Sequence, residues 1–378
     1  MQWRNLLAAC TAISIFGFSL GITYPLLSLL LELQGVSSAM MGINAAMAPL
    51  GILLFSPLIP LLSKRFGSPR VAVAAAIITA LLLLAYKQFN SLEAWFLIRL
   101  LQGMSVSVLF VLSEAWVLQY AGNAHRGKIV AMYGAVLAAS FAMGPALIGL
   151  IGIEGWLPFM VGSGAMLLSI IPLILVQEDA PIAEEETATS GMLSFALKAP
   201  VLLSAVAVFA IFDAATLSFL PIYGLRIGLD IQTAALALTA LIIGDVMLQF
   251  PIGWMADTWP KRKVLAGLST STVCFAVILH LVSASIWFWP VLMALGASGY
   301  GVYTVAMAEL GDRFSGHELV TGSSAFAVMW GLGALIGSIS GGWAMSLFGP
   351  LGLPLLIAVS YALLLSSMVL RRIKTKQK

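Results

Sequence analysis

The chain has 378 residues, of which 61% are hydrophobic and 9% charged, and its formal net charge is +3. Soluble domains carry about 25% charged residues, so an ordinary water-soluble globule is excluded. Only two cysteines occur, Cys10 and Cys274, both inside apolar runs, which argues against a disulfide framework or a metal cluster.

Apolar runs long enough for a hydrocarbon core of about 30 Å recur from end to end, and the mean hydropathy is +1.03. Backbone polar groups in lipid must be satisfied internally, so the predicted class is an all-α polytopic membrane protein. In chain order the spans are predicted over 5–31, 38–62, 71–87, 92–120, 128–152, 157–176, 200–226, 232–256, 263–284, 287–311, 318–346 and 353–370. The first run is too long for a signal-peptide core and lacks a small-residue cleavage site, so it is expected to be retained. The segment 177–199 holds Glu178, Asp179, Glu184, Glu185 and Glu186 without a long apolar run. It reads as a soluble acidic linker. The expected domains are a six-helix bundle over 1–176, the linker over 177–199, a second six-helix bundle over 200–370, and a basic tail over 371–378.

Of the 19 lysines and arginines, 16 fall on the side that carries both termini; the other side has Lys87 and Arg226, and Arg99 lies within a span. The positive-inside rule then places both termini and the linker in the cytoplasm, with a bacterial inner membrane as the expected location. The halves also align at an offset of 193 residues: Gly103 on Gly296, Ser105 on Ser298, Gly144 on Gly337, Gly149 on Gly342 and Val71 on Val264. Span one matches span seven at a slightly different offset, with Ile15, Phe16 and Pro25 on Ile211, Phe212 and Pro221. Duplicated halves are the mark of secondary transporters, whose site lies between them near the membrane midplane.

Four stretches carry a family resemblance. "GWMADTWPKRK" has Gly253, Asp257, Lys261 and Arg262 in the order of the loop signature of the major facilitator superfamily, with Pro260 where that family has glycine. The first-half copy, "PLLSKRFGSPR", keeps Arg65, Gly67 and Arg70 but has Pro60 for glycine and Lys64 for aspartate. "RLLQG", from Arg99 to Gly103, resembles the span-four arginine–glutamine–glycine motif. "SFAMGPALIG" resembles the glycine-proline motif of antiporters through Gly144, Pro145 and Gly149, with Ser140 and Ile148 replacing glycines. "VLSEAWVLQYAGNAHRGKIVAMYG" and "LQFPIGW" are further similar to the YcaD-type subgroup. The resemblance covers essentially the whole chain. It implies two pseudo-symmetric bundles of six helices, alternating access, and a cavity lined by spans one, four, seven and ten.

Charges inside spans are costly and default to functional candidates. Here they are Arg99, Glu114, Asp213, Asp245 and Glu309. Asp213 is about 20 Å along its span at 1.5 Å per residue, near the midplane, where a carboxylate can trade a proton; a helix–helix hydrogen bond is the alternative. Arg99 opens a stripe with Gln102, Gly103 and Val106 and stays protonated, so it could bind an anionic group or form a fixed ion pair. Glu114 is about 22 Å from Arg99, too far to pair, and reads as an inner proton site or a side chain reaching toward headgroups. Asp245 shares a face with Gln249, Glu309 reads as a wet helix end, and His280 reads as peripheral. Tyr300 and Tyr303 offer aromatic contacts to a ligand or to packing, and Gly333, Gly337 and Gly341 form a close-packing stripe.

No phosphate loop, zinc-ligand helix or nucleophile elbow is present, so neither enzymatic activity nor a cofactor is expected, and energy must come from an ion gradient. Protons are favoured over sodium by the isolated carboxylates. The reading is a monomeric, proton-coupled exporter of amphipathic or small organic molecules, in contact with membrane lipids and with no nucleic-acid partner. The alternatives are a proton symporter importing a small organic acid through Arg99, and a non-transporting receptor or scaffold. Two cytoplasmic latches are also expected from the resemblance and the offset: Asp257 with His125, Arg126 and Lys128, and Lys64 or Arg65 with Glu318. Lys261, Arg262 and Lys263 are expected to hold their loop at anionic headgroups.

Overall fold

A computed structural model of the chain describes residues 3–120, 126–174 and 189–376. Two compact units divide it: Met1–Gln34 with Asn44–Glu184, and Gly35–Ile43 with Glu185–Lys378. Among the described residues all regular structure is helical. In chain order up to the acidic segment come α1 (Trp3–Leu33), α2 (Ser38–Phe55), α3 (Ile59–Phe66), α4 (Ser68–Gln88), α5 (Leu92–Tyr120), α6 (Arg126–Ile151), α7 (Leu157–Leu168) and α8 (Ile171–Ile174). Beyond it come α9 (Thr189–Lys198), α10 (Pro200–Arg226), α11 (Ile231–Thr258), α12 (Lys261–Leu281), α13 (Phe288–Arg313), α14 (Gly316–Phe348) and α15 (Gly352–Lys376).

Prolines punctuate these spans. A proline lacks the N–H that continues the helical ladder. Pro57 lies within the 3-10 turn Ser56–Leu58 that joins α2 to α3 in one span, and Pro60 follows just after it. Eleven described runs are long and apolar enough to cross a membrane, and the last of them extends from Thr321 to Leu370. That run contains most of both α14 and α15, joined by a 3-10 turn at Gly349–Leu351, where Gly349 takes a φ of 58°. The pattern is therefore twelve spans.

The segment read as soluble is helical over Thr189–Lys198. Phe195 is buried there, with its ring 4.9 Å from that of Phe314. The Phe195 ring and an Arg313 hydrogen bond to the Lys198 carbonyl at 3.1 Å dock a helix too short for a hydropathy window to register. The five acidic residues of the segment lie outside the described residues.

The internal symmetry is physical as well as textual. A Cβ at Gly103 on α5 would stand under 3.0 Å from the Ala48 carbonyl oxygen on α2, and one at Gly296 on α13 would meet the Leu241 carbonyl oxygen on α11 just as closely. Ala48 and Leu241 are related by the same 193-residue offset as the two glycines. Gly51 meets the Leu100 carbonyl and Gly244 the Met293 carbonyl, again an equivalent pair. Each unit thus brings two backbones together at a reciprocal glycine crossing, as small residues allow in membranes. Gly103→Ala or Gly296→Ala should push these helices apart and lower stability by about 1–3 kcal/mol, the usual range for overpacking. Gly267→Ala, where nothing lies within 4 Å of the added carbon, is the control in thermal unfolding of purified protein. Equal stability of all three variants would show that the crossing tolerates a methyl group.

The glycine-proline motif is a packing device of the same kind. Pro145 cannot donate to the Phe141 carbonyl four residues earlier, and a Cβ on Gly21 of α1 would collide with that freed oxygen. A Cβ at Gly144 would collide in turn with the Gly21–Ile22 peptide. In the second unit, Gly333 and Gly337 of α14 lie against the Ala207 and Ile211 backbone of α10.

Candidate functional site

The most deeply buried charged side chains, Arg99 and Asp213, each sit in a polar cluster, one in each unit. In the second unit, Asp213 lies halfway along α10, a helix whose face from Phe212 to Gly224 is buried without a break. The Tyr300 hydroxyl on α13 donates to Asp213 Oδ1 at 3.1 Å, and the Trp330 indole on α14 is a second donor to the same carboxylate. No ion pair to Asp213 occurs among the described residues. Aromatic rings close round it. Phe212 stands edge-on to Tyr300 at 5.1 Å and to Tyr361 at 5.9 Å, while Phe209 stacks on Tyr303 at 4.6 Å. Tyr361 is tied down by donating to the Gly299 carbonyl at 2.8 Å. Phe209, Tyr300, Tyr303 and Trp330 are half-buried, so they can offer ring faces to a ligand. Asp245 on α11 is half-buried and near enough for its charge to act on Asp213; Gln249 is exposed.

In the first unit, Arg99 and Gln102 occupy successive turns of α5. The Gln102 amide is fully used: Nε2 donates to Ser19 Oγ and Thr23 Oγ1, both at 2.8 Å, and Oε1 accepts from the Tyr86 hydroxyl at 2.7 Å. Trp95 then locks Tyr86 by donating to its carbonyl at 2.9 Å. Arg99, only 1% exposed, donates through Nη1 to Asn44 Oδ1 at 3.0 Å. The ring of Tyr24 lies under its guanidinium at 4.5 Å.

The structure therefore joins Asp213 with Tyr300 directly and with Tyr303 only through the Phe209 ring, and it sets Arg99 and Gln102 on neighbouring turns of the other unit with separate partners. Glu114 is an exposed residue of α5. Asn44, Tyr24, Tyr86, Phe209, Phe212 and Trp330 were not reached by sequence reasoning. Asn44 had a legible signal, as a lone amide in an apolar run; the aromatics had none, because hydropathy counts them as ordinary span residues.

The latch residues are placed as follows. Glu318 ion-pairs with Lys198 at 2.5 Å, because the unexpected helix α9 delivers that lysine to the first turn of α14. Lys261 ion-pairs with Asp312 and so does not serve only the headgroups; Arg262 and Lys263 are exposed. Arg65 lies 5.3 Å from the ring of Phe66. Asp257 is exposed in the last turn of α11. His125 and the side chains of Arg126 and Lys128 lie outside the described residues. Gly253 has nothing within 4 Å of an added Cβ, so local sterics do not demand glycine there. Glu309 is paired loosely with Arg313 at 3.9 Å.

A chain of twelve apolar helices, duplicated about the same glycine crossings and carrying buried polar clusters within its spans, is an integral membrane protein of the secondary-transporter type. It belongs to the Major Facilitator Superfamily, whose sequence model matches residues 7–244 and 202–378. It is 28% identical over 345 residues to the uncharacterized MFS-type transporter YfkF of Bacillus subtilis (strain 168), covering 89% of this chain and 87% of that protein. It is 24% identical over 337 residues to the uncharacterized MFS-type transporter YcaD of Escherichia coli O7:K1 (strain IAI39 / ExPEC), covering 88% and 87%. Among solved structures, a mutant form of the nucleoside transporter NupG is similar with a TM-score of 0.77 at 16% identity, covering 96% of this chain and 99% of that one. The D-xylose-proton symporter is similar with a TM-score of 0.74 at 15% identity, covering 96% and 97%. At these identities the structural likeness shows the fold alone.

Proposed function

We propose that this transporter is a proton-coupled antiporter that exports small amphipathic organic molecules by alternating access, with Asp213 as the group that exchanges its proton. The observation that carries this reading is a carboxylate 9% exposed in mid-span, held by two neutral donors and by no cation among the described residues. An ionised carboxylate buried without a counter-charge costs several kcal/mol, so the site calls for a proton or for the cationic group of a ligand. The two would compete for one position, which is what obligatory exchange requires. The rings of Phe209, Tyr300, Tyr303 and Trp330 suit a flat apolar molecule, and a cation over such faces gains about 0.5–2 kcal/mol. The bias of lysine and arginine supports cytoplasmic termini in a bacterial inner membrane. Import of an organic acid by symport is a second reading, favoured by the buried guanidinium of Arg99.

The test uses proteoliposomes containing the full chain and a trapped pH-sensitive dye, with ethidium as the probe. Under an imposed pH gradient, ethidium should move against its own gradient while protons move the opposite way. Ethidium movement indifferent to the gradient would refute the coupling.

A further inference from the structure

Among the buried polar side chains of the first unit, the Gln102 cluster is complete and the Arg99 cluster is not. Arg99 spends Nη1 on Asn44, while its Nε and Nη2 have no hydrogen-bond partner; the Nδ2 of Asn44 has none either. Both residues are essentially inaccessible, at 1% and 0% exposure. Three buried donor atoms therefore stand together, and beside the guanidinium the neutral Tyr24 phenol is a further hydrogen-bonding group. Nε and Nη2 are the two parallel N–H groups on one edge of the guanidinium, the fork that receives a carboxylate in bidentate fashion. Arg99 and Asn44 are each about 10 Å along their helices, counted from Leu92 and Ser38 at 1.5 Å per residue, so the patch lies below the end of the unit rather than at its rim.

The charge is as incomplete as the hydrogen bonding. Arginine remains protonated in proteins, and no acidic side chain pairs with Arg99 among the described residues. The groups that act on its charge are the phenols of Tyr24 and Tyr86. Tyr24 covers one face of the guanidinium through its ring, which leaves the edge for a ligand. A water molecule could accept from two of the donors, but it would bring two donors of its own and no charge. A monoanion accepts from all three and neutralises the cation. A dianion would leave a net negative charge beside a single guanidinium.

We propose that Arg99 and Asn44 form a buried site for one small monoanion, a halide or a carboxylate group. It belongs to the first unit, shares no residue with the Asp213 cluster, and stands whether the transporter exports or imports. The same chemistry has two sources: a free ion bound as a counter-ion, or the carboxylate of a transported molecule.

The experiment follows thermal unfolding of the purified full chain by tryptophan fluorescence. Chloride, bromide, acetate and benzoate are titrated separately into a sulfate background at constant ionic strength. The unfolding temperature of the wild type should rise and saturate with at least one of these probes, since a ligand that binds only the folded state stabilises it by mass action. Saturation by chloride or bromide identifies a free counter-ion. Response to the carboxylates alone, with benzoate competing for transport, assigns the site to the transported molecule. Asn44→Ala should weaken the apparent affinity at least tenfold, and Arg99→Gln should abolish the response. Because removing Arg99 risks misfolding, Asn44→Asp is the decisive variant. It supplies the missing negative charge in place, so it should be more stable than wild type in sulfate and no longer respond to the probes. A wild type with no saturable response to any probe, or an Asn44→Asp protein that responds as the wild type does, overturns the proposal.

Discussion

Asp213→Asn should reduce proton-driven movement of ethidium to the level of empty liposomes while leaving counterflow exchange of ethidium measurable. The amide has nearly the shape of the carboxylate and keeps an oxygen for the Tyr300 hydroxyl, 3.1 Å away in the wild type, so packing against Phe212 and Trp330 should survive. It cannot release a proton. Loss of gradient-driven flux with retained exchange would therefore separate energy coupling from folding and from ligand entry. The measurement is paired flux, with and without a pH gradient, on protein whose unfolding temperature has been checked. Full gradient-driven transport by the amide variant would remove Asp213 from the coupling step and leave Asp245 as the remaining mid-span carboxylate of that unit.

Arg99→Lys should destabilise the first unit by about 1.5–3 kcal/mol, the usual worth of a hydrogen bond to a charged group, and should cut transport roughly tenfold or more. Lysine keeps the charge but not the shape. Its ammonium is a strongly hydrated point charge on a flexible stem, and it cannot lie flat on the Tyr24 ring while also reaching Asn44 Oδ1. Chemical denaturation in detergent gives the stability and ethidium flux gives the activity. A lysine variant that matches the wild type in both would show that position 99 needs only a positive charge. A variant that loses transport of benzoate far more than of ethidium would place the arginine against an acidic ligand.

Parts of this molecule differ in how they can be known. The class of protein, the spans and the duplication are properties of linear composition. Bilayer thickness sets a length of apolar chain, and a repeat of glycines such as Gly103 and Gly296 is visible because a backbone crossing admits no larger residue. Asp213 and Arg99 are also legible, since a charge in an apolar run is expensive wherever it points. What each charge faces is a different matter. Asn44, Tyr24, Tyr300 and Trp330 reach their partners from other helices, and hydropathy assigns an inward ring and a lipid-facing ring the same value. Motifs behave likewise. Gly144 and Pro145 look functional as a string, yet in three dimensions they let α6 press a freed carbonyl against α1. Symmetry sets Glu318 at the position of His125 and says nothing of Lys198, which ion-pairs with it because a ten-residue helix folds where charge density suggests only linker. By itself, then, the sequence determined that this chain spans a membrane in two related halves with ionisable groups inside its spans. Tertiary structure alone decided that one of those groups, Asp213, is ringed by aromatics and neutral donors, and that another, Arg99, keeps an unused edge of its guanidinium. The physical reason is that side-chain direction across packed helices is set by which faces meet, and not by the order of residues along any one of them.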